Sequence, residues 1–269
     1  MSKNILRSVV QDATAWTRND VKNDTTWIYY LTPLELEEID QAFRQVQAQG
    51  LSWGAFGKAE FPLPKLSAKL HDVDQQIRNG RGFVLVKGFP VDRYTLDETK
   101  TIYWGLGVHL GQVISHNVAG DFVAAVTDLA LKSDDPNRRN NTTAQLLDPH
   151  TDLADMVVLL CREQAKEGGM SSLVSSVAIH NEIVKNHPEY LEPLYEGFYH
   201  DYRGYGPTGD ANEVTATPIP VFEYNNGRIN CAFAKKIIET GAMKRGVPLT
   251  ALQQAAIDYV HELGTREDM

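Results

Sequence analysis

His150 and Asp152, two residues apart, are the best candidates for chemistry in this sequence. If the backbone between them is extended, both side chains point to one side, because side chains alternate faces along a strand. One imidazole and one carboxylate supply two of the three ligands of the facial triad. That triad binds non-heme Fe(II) and leaves positions open for a substrate and O2. Alone, the tripeptide is a weak signal, since such a pair is more often a hydrogen-bonded loop histidine beside a surface aspartate. The surrounding sequence therefore decides between the two interpretations.

The composition of the 269-residue chain is that of a globular protein, with 42% hydrophobic and 23% charged residues. Its formal net charge of -9 argues against a nucleic-acid surface or a basic membrane patch. No apolar run approaches the length of a membrane span, and the N-terminal residues lack an apolar signal core. We therefore expect a soluble, cytoplasmic protein with a small-molecule substrate and no nucleic-acid or membrane partner. Whether it forms a homo-oligomer is left open.

The two cysteines, Cys161 and Cys231, both lie in apolar stretches. Buried free thiols behave as small hydrophobic side chains, and disulfides are rare in intracellular proteins. We therefore predict two buried free cysteines rather than a disulfide.

Capping residues and apolar spacing predict the helices. Thr32, Pro33 and Glu35 form a helix start, with a threonine cap, a proline in the first turn and a glutamate at the capping-box position. The threonine cap and the capping-box glutamate recur at Thr95 and Glu98. Helices are predicted from residue 32 to 50, over residues 66–78, from residue 95 to 111, and over residues 177–186 and 249–263.

Short apolar or alternating runs predict the strands. These runs are residues 82–86, 122–126, 156–160, 171–176, 198–203, 221–224 and 228–233. The last two flank Asn225, Asn226 and Gly227, which is a hairpin signal. Residues 132–145 are polar and predict a surface loop before His150. Helices followed by short strands predict one domain with a β-sandwich or barrel core and helical decoration.

With these neighbours, the chain resembles the TauD/TfdA family of Fe(II)- and 2-oxoglutarate-dependent dioxygenases, which are clavaminate synthase-like proteins. The resemblance rests on residues 82–89, 150–152, 159–161, 168–171, 174–176 and 218–234. It implies a double-stranded β-helix, or jelly-roll, core with helical decoration, in a single domain over residues 1–269.

The resemblance also implies the roles of particular residues. His150 and Asp152 would bind Fe(II), with 2-oxoglutarate as cosubstrate and O2 as oxidant. Ser171 lies where the family often has a threonine after a double glycine, and its hydroxyl would bind the 2-oxoglutarate carboxylate. The alternative is that Ser171 is only a strand residue. His116 and Asn117 are candidates for the substrate pocket, and the alternative is an ordinary loop histidine and its neighbour.

The sequence departs from the family pattern at two points. The family has a distal histidine ligand on a late strand, and then an arginine that pairs with 2-oxoglutarate. His180, His187 and His200 come too early in the chain, and His261 lies in a predicted helix. We therefore expect the third ligand, the arginine and the final core strands to lie beyond residue 269, which would leave the domain incomplete at its C-terminus.

Three functions remain open from the sequence. The first is an oxidoreductase that hydroxylates, or otherwise oxidises a C–H bond of, a small organic molecule. The second is a catalytically inactive, truncated family member that binds a small molecule or is a relic domain. The third is a hydrolase with Zn²⁺ at His150 and Asp152, although no zinc-binding sequence pattern supports it.

Overall fold

The computed structural model describes residues 4–115, 122–126, 146–152 and 154–269. The chain forms two compact units. The first consists of Met1–Lys22, Ala125–Asp155 and Leu173–Met269, and the second of Asn23–Ala124 and Met156–Ser172. The expectation of one domain over residues 1–269 stays a prediction, because two compact units can be subdivisions of one folded domain.

The elements in chain order are α1 (Arg18–Val21), β1 (Ile28–Tyr30), α2 (Pro33–Ala48), α3 (Leu66–Asn79), β2 (Leu85–Lys87), α4 (Leu96–Leu110), α5 (Ser176–Asn186), α6 (Leu191–Glu196), β3 (Phe222–Asn225), β4 (Arg228–Cys231), α7 (Lys235–Arg245) and α8 (Ala251–Thr265). Short 3₁₀ helices cover Val91–Arg93 and Pro188–Tyr190. In the described ranges, no helix has the length and apolar character needed to cross a membrane.

The predicted helices are confirmed, and their caps explain why. The Thr32 side chain accepts a hydrogen bond from the Glu35 N–H, and the Glu35 carboxylate accepts one from the Thr32 N–H. The two bonds together form a capping box. Thr95 and Glu98 repeat this arrangement at the start of α4. Helices α6 and α7, which are short or carry weak apolar spacing, were not predicted from the sequence.

In the second unit, a core of apolar side chains is built mainly from α2, α3, α4 and the chain between α2 and α3. Its most deeply buried members are Ile39, Val46, Phe61, Leu66 and Ile102. Strands β1 and β2 pair in parallel, with Ile28 opposite Leu85. The β2 side chains are exposed, so the buried strand expected at residues 82–86 is wrong in two respects. The observed strand is shorter, because it begins three residues later and ends one residue later, and it lies on the surface.

A buried carboxylate joins α2 to α3. Lys65, the residue before α3, offers no side-chain cap. Instead, Glu38 of α2 accepts the N–H groups of Lys65 at 2.9 Å and Leu66 at 2.8 Å. Glu38 is only 7% exposed. Its negative charge therefore satisfies two free N–H groups and faces the positive end of the α3 dipole.

Substitution of Glu38 by alanine should leave those two N–H groups without their acceptor. We expect Glu38→Ala to lower the free energy of unfolding by about 1–3 kcal/mol, the usual cost of an unsatisfied buried polar group. Urea denaturation followed by circular dichroism measures this. Glu37→Ala is the matched control, since Glu37 lies on the exposed side of α2 and, among the described residues, accepts a hydrogen bond from Gln41. Equal losses for both variants would show that the Glu38 cap does not stabilise α3.

In the first unit, a second core is formed by α5, α6, α7, α8 and the β3–β4 hairpin. Its fully buried side chains include Ile183, Leu191, Leu194, Tyr195, Phe222, Ile238, Ile257 and Leu263. The hairpin was predicted and is confirmed, with Phe222 opposite Cys231. Asn226 and Gly227 both have positive φ, 50° and 79°, as a two-residue type I′ turn requires.

Several predicted strands are wrong. Residues 122–126, 156–160 and 171–175 form no strand in the structure. Residues 198–203 contribute only isolated bridges at Phe198 and Asp201. The run 156–160 was predicted as buried, but Val157 and Leu159 are 52% and 75% exposed. An apolar run becomes a strand only where a neighbouring strand accepts its hydrogen bonds, and sequence periodicity does not reveal that neighbour.

The cysteine prediction is correct in one part and wrong in another. Both cysteines are free, as expected. Cys161 is exposed, however, because it belongs to the same surface run as Val157 and Leu159. Cys231 is partly accessible as a residue, but burial of its thiol raises the pKa to about 12.

Candidate metal centre

Hydrogen bonds of Thr151 hold the segment of His150 against the chain that follows β4. His150 forms an antiparallel bridge with Ala234. The Thr151 N–H donates to the Phe233 carbonyl at 2.8 Å, and the Phe233 N–H donates to Thr151 Oγ1 at 2.9 Å. Thr151 is half-buried, whereas His150 and Asp152 are exposed. This alternation is that of an extended segment, so we infer that His150 and Asp152 share its solvent side.

The imidazole of His150 is oriented by a backbone carbonyl. Its Nδ1 lies 2.8 Å from the carbonyl oxygen of Asp148. A carbonyl oxygen only accepts hydrogen bonds, so we assign the proton of neutral His150 to Nδ1. Nε2 then carries the lone pair. Metal-binding histidines are commonly oriented in this way, by donating the other ring N–H to a carbonyl or carboxylate.

Helix α8 contacts the same short segment. His261 Nε2 lies 3.2 Å from a carboxylate oxygen of Asp148. Gly264, one turn further along, approaches Pro149 so closely that an added Cβ would lie 2.8 Å from the Pro149 Cβ. Residues 148–149 therefore rest directly on the end of α8. Sequence reasoning missed Asp148 as a member of this site. It considered His261 only as a third metal ligand and set that role aside because His261 lies in a predicted helix.

No third metal ligand accompanies His150 and Asp152 among the described residues, where no group of three His, Cys, Asp or Glu side chains could hold an ion. Of the later histidines, His180 is fully buried with Nε2 3.0 Å from the Tyr195 hydroxyl. His187 Nδ1 lies 3.0 Å from the carboxylate of Glu189. His261 bonds Asp148, as described above.

Burial determines the protonation state of two histidines, His180 and His200. His200 is 6% exposed and its backbone pairs with Thr215. Burial lowers the pKa of both imidazoles to about 4. Both rings are therefore neutral in the folded protein at neutral pH.

These two buried histidines should make the protein sensitive to acid. Their folded pKa values of about 4 lie below the unfolded value of 6.5. The unfolded chain therefore binds more protons as the pH falls from about 6.5 to about 4, and stability is lost in that window by about 1.4 kcal/mol per pH unit for each histidine. Urea titrations across the window measure the slope for the wild type and for His200→Gln. The variant should show a shallower slope, and an unchanged slope would refute the contribution of His200.

Ser171 belongs to the second unit, in the segment 156–172. Gly168 and Gly169 before it have φ values of 72° and 69°, a left-handed conformation that favours glycine. Ser171 itself is exposed and lies outside any strand. Its role as a 2-oxoglutarate ligand stays a prediction.

Helix α4 fixes the beginning of this segment. The Tyr103 hydroxyl donates to the Val158 carbonyl oxygen, and the Arg162 guanidinium donates to the buried Thr99 hydroxyl at 2.7 Å. The segment before the double glycine is thus held to α4 at two points.

His116 and Asn117 lie outside the described residues, as does the predicted loop 132–145.

Arg266 is bound to Asp268 at 2.6 Å and lies 3.8 Å from Glu182, and these carboxylates raise the pKa of its guanidinium. Arg266 is therefore engaged within the chain and does not replace the arginine of the family pattern.

Comparison with known proteins identifies the class. The sequence model of the taurine catabolism dioxygenase TauD, TfdA family matches residues 43–268. An FR-33289 synthase of Streptomyces rubellomurinus is 29% identical over 266 residues, which cover 98% of this chain and 78% of that protein. The taurine hydroxylase-like protein SAT17 of Stachybotrys chartarum is 24% identical over 272 residues, which cover 97% of this chain and 69% of that protein.

Because the family model spans most of the sequence, the chain belongs to the TauD/TfdA family. This confirms the resemblance found from the sequence. The family is one of non-heme iron, 2-oxoglutarate-dependent dioxygenases with a jelly-roll fold. Among the described residues, the structure shows mainly helices and two two-stranded sheets.

Proposed function

We propose that this protein is an Fe(II)- and 2-oxoglutarate-dependent oxygenase that hydroxylates a small organic molecule or oxidises one of its C–H bonds. The observation that carries the proposal is the hydrogen bond from His150 Nδ1–H to the Asp148 carbonyl. It leaves Nε2 as a lone-pair donor on the exposed side of an extended segment, with Asp152 two residues further along.

The donor set fits Fe(II). One imidazole nitrogen and one carboxylate oxygen are two ligands of the facial arrangement that leaves positions open for other molecules. Within the described part of the chain, no hydrogen bond or ion pair engages the Asp152 carboxylate. As far as the described residues show, both donors can therefore bind a metal without first breaking another interaction.

The chain's own residues would bind and orient the cosubstrate, while the bound iron with 2-oxoglutarate and O2 supplies the power to oxidise a C–H bond. We assign to Ser171 the hydrogen bond from its hydroxyl to a 2-oxoglutarate carboxylate. The left-handed glycines before it support this role, since they let the backbone turn sharply just ahead of Ser171. His116 and Asn117 are proposed as substrate contacts. The fold we propose is a jelly-roll domain over residues 1–269.

The names of the relatives support hydroxylation of a small molecule. One is called a taurine hydroxylase-like protein and the other a synthase. The acidic net charge of -9 supports a small molecule rather than a nucleic acid as the partner.

A second candidate is a family member that binds a small molecule without turnover. It is favoured by the finding that no third His, Cys, Asp or Glu joins His150 and Asp152 among residues 4–115, 122–126, 146–152 and 154–269. A site with fewer protein ligands holds Fe(II) more weakly, and turnover would fall accordingly.

Metal titration tests the proposal. Under anaerobic conditions we expect Fe(II), or Co(II) as a spectroscopic substitute, to bind at one ion per chain. His150→Ala and Asp152→Ala should each weaken binding by more than about 100-fold, because loss of an outer partner of a ligand already costs 10–100-fold. His187→Gln is the matched control, since it removes a histidine that bonds Glu189 away from the segment.

The coupled assay separates the two candidates. Succinate formation from 2-oxoglutarate that requires Fe(II) and is abolished by His150→Ala supports the oxygenase. Metal binding without succinate formation, over a panel of small organic acids, supports the binding protein. A wild-type chain that binds no metal overturns the iron site itself.

A further inference from the structure

We propose that His261 of α8 is a positioning residue for His150, acting through Asp148. The inference rests on the proposed role of His150 as an iron ligand and adds to it a residue far away in the sequence. His261 would not touch the metal. It would fix the peptide group that orients the His150 ring.

Asp148 makes both contacts with different atoms. Its backbone carbonyl oxygen accepts the His150 Nδ1–H at 2.8 Å, and a side-chain carboxylate oxygen accepts the His261 Nε2–H at 3.2 Å. Because His261 holds the Asp148 carboxylate, rotation about the side-chain bonds that join this carboxylate to the Asp148 backbone is restricted. The position of the Asp148 carbonyl, and with it the orientation of the His150 ring, therefore depends on His261.

Helix α8 is a rigid support for this contact. It begins at a Thr250 capping box and buries Ala256, Ile257, Val260 and Leu263 in the core of the first unit. The close approach of Gly264 to Pro149 places the backbone of the segment directly on the helix. His261 thus presents its Nε2 from an element that does not move independently of the core.

The contact is too exposed to serve mainly as a source of stability. The side chain of Asp148 is 64% exposed and that of His261 is 27% exposed. Ion pairs and hydrogen bonds at such positions contribute little to the free energy of unfolding. Loss of His261 should consequently change the orientation of His150 while leaving the fold intact.

The first measurement uses the metal-free protein. Long-range ¹H–¹⁵N spectra of the imidazole rings, recorded at a pH of about 8 where an ordinary histidine is neutral, report which nitrogen carries the proton. We expect His150 of the wild type to be the Nδ1–H tautomer. His261→Ala should give a mixture of tautomers at His150. His261→Gln, whose amide nitrogen takes the place of Nε2, should restore the wild-type signal.

The second measurement is Co(II) affinity. His261→Ala should weaken binding by about tenfold, the lower end of the effect of an outer partner on a metal site. His261→Gln should recover most of that loss. Glu262→Gln is the control, because Glu262 is exposed on the same helix beside His261. All three variants should keep the melting temperature of the wild type.

The results distinguish this inference from the proposed function. If the wild type binds no Co(II), the iron site fails, and the tautomer comparison alone still decides whether His261 orients His150. The positioning role is overturned if His261→Ala keeps a single Nδ1–H tautomer at His150. If the wild type binds Co(II), an unchanged Co(II) affinity of His261→Ala overturns it as well. A Glu262→Gln variant that matches the alanine variant would also overturn it, because the effect would then belong to the helix rather than to His261.

Discussion

Two hydrogen bonds between Thr151 and Phe233 hold His150 and its neighbours in an extended segment. Three residues of chain do not stay extended by their own preference, since strand geometry is stabilised by a partner. The partner here is the chain immediately after β4, whose hairpin packs into the core of the first unit. The exposed positions of His150 and Asp152 on one side of the segment depend on this pairing.

The helices could be predicted from the sequence because their signals are local. Thr32 with Glu35, and Thr95 with Glu98, form capping boxes within four residues of chain. The β3–β4 hairpin was predictable for the same reason, since Asn226 and Gly227 fix the turn by themselves. The family, too, could be recognised from short motifs around His150 and the double glycine.

What could not be predicted depends on residues far apart in the chain. His261 and Asp148 are separated by 113 positions, and nothing in the sequence around His261 distinguishes it from an ordinary helical residue. The same holds for Glu38, which caps α3 from 28 residues away. The run 156–160 shows the converse error, because its apolar composition predicted a buried strand where the structure has an exposed segment. Which strand pairs with an apolar run, and which residues bury it, are determined by the whole fold.

The two cysteines differ in their surroundings, and a thiol reagent would therefore react with them at different rates. Cys231 has a thiol whose pKa burial raises to about 12, so little thiolate forms near neutrality and alkylation there is slow. Cys161 is exposed in the segment that leads to Gly168 and Gly169. A maleimide dye added to the unmodified chain would thus attach at one place. Its fluorescence would report on events near the double glycine, without any engineered residue.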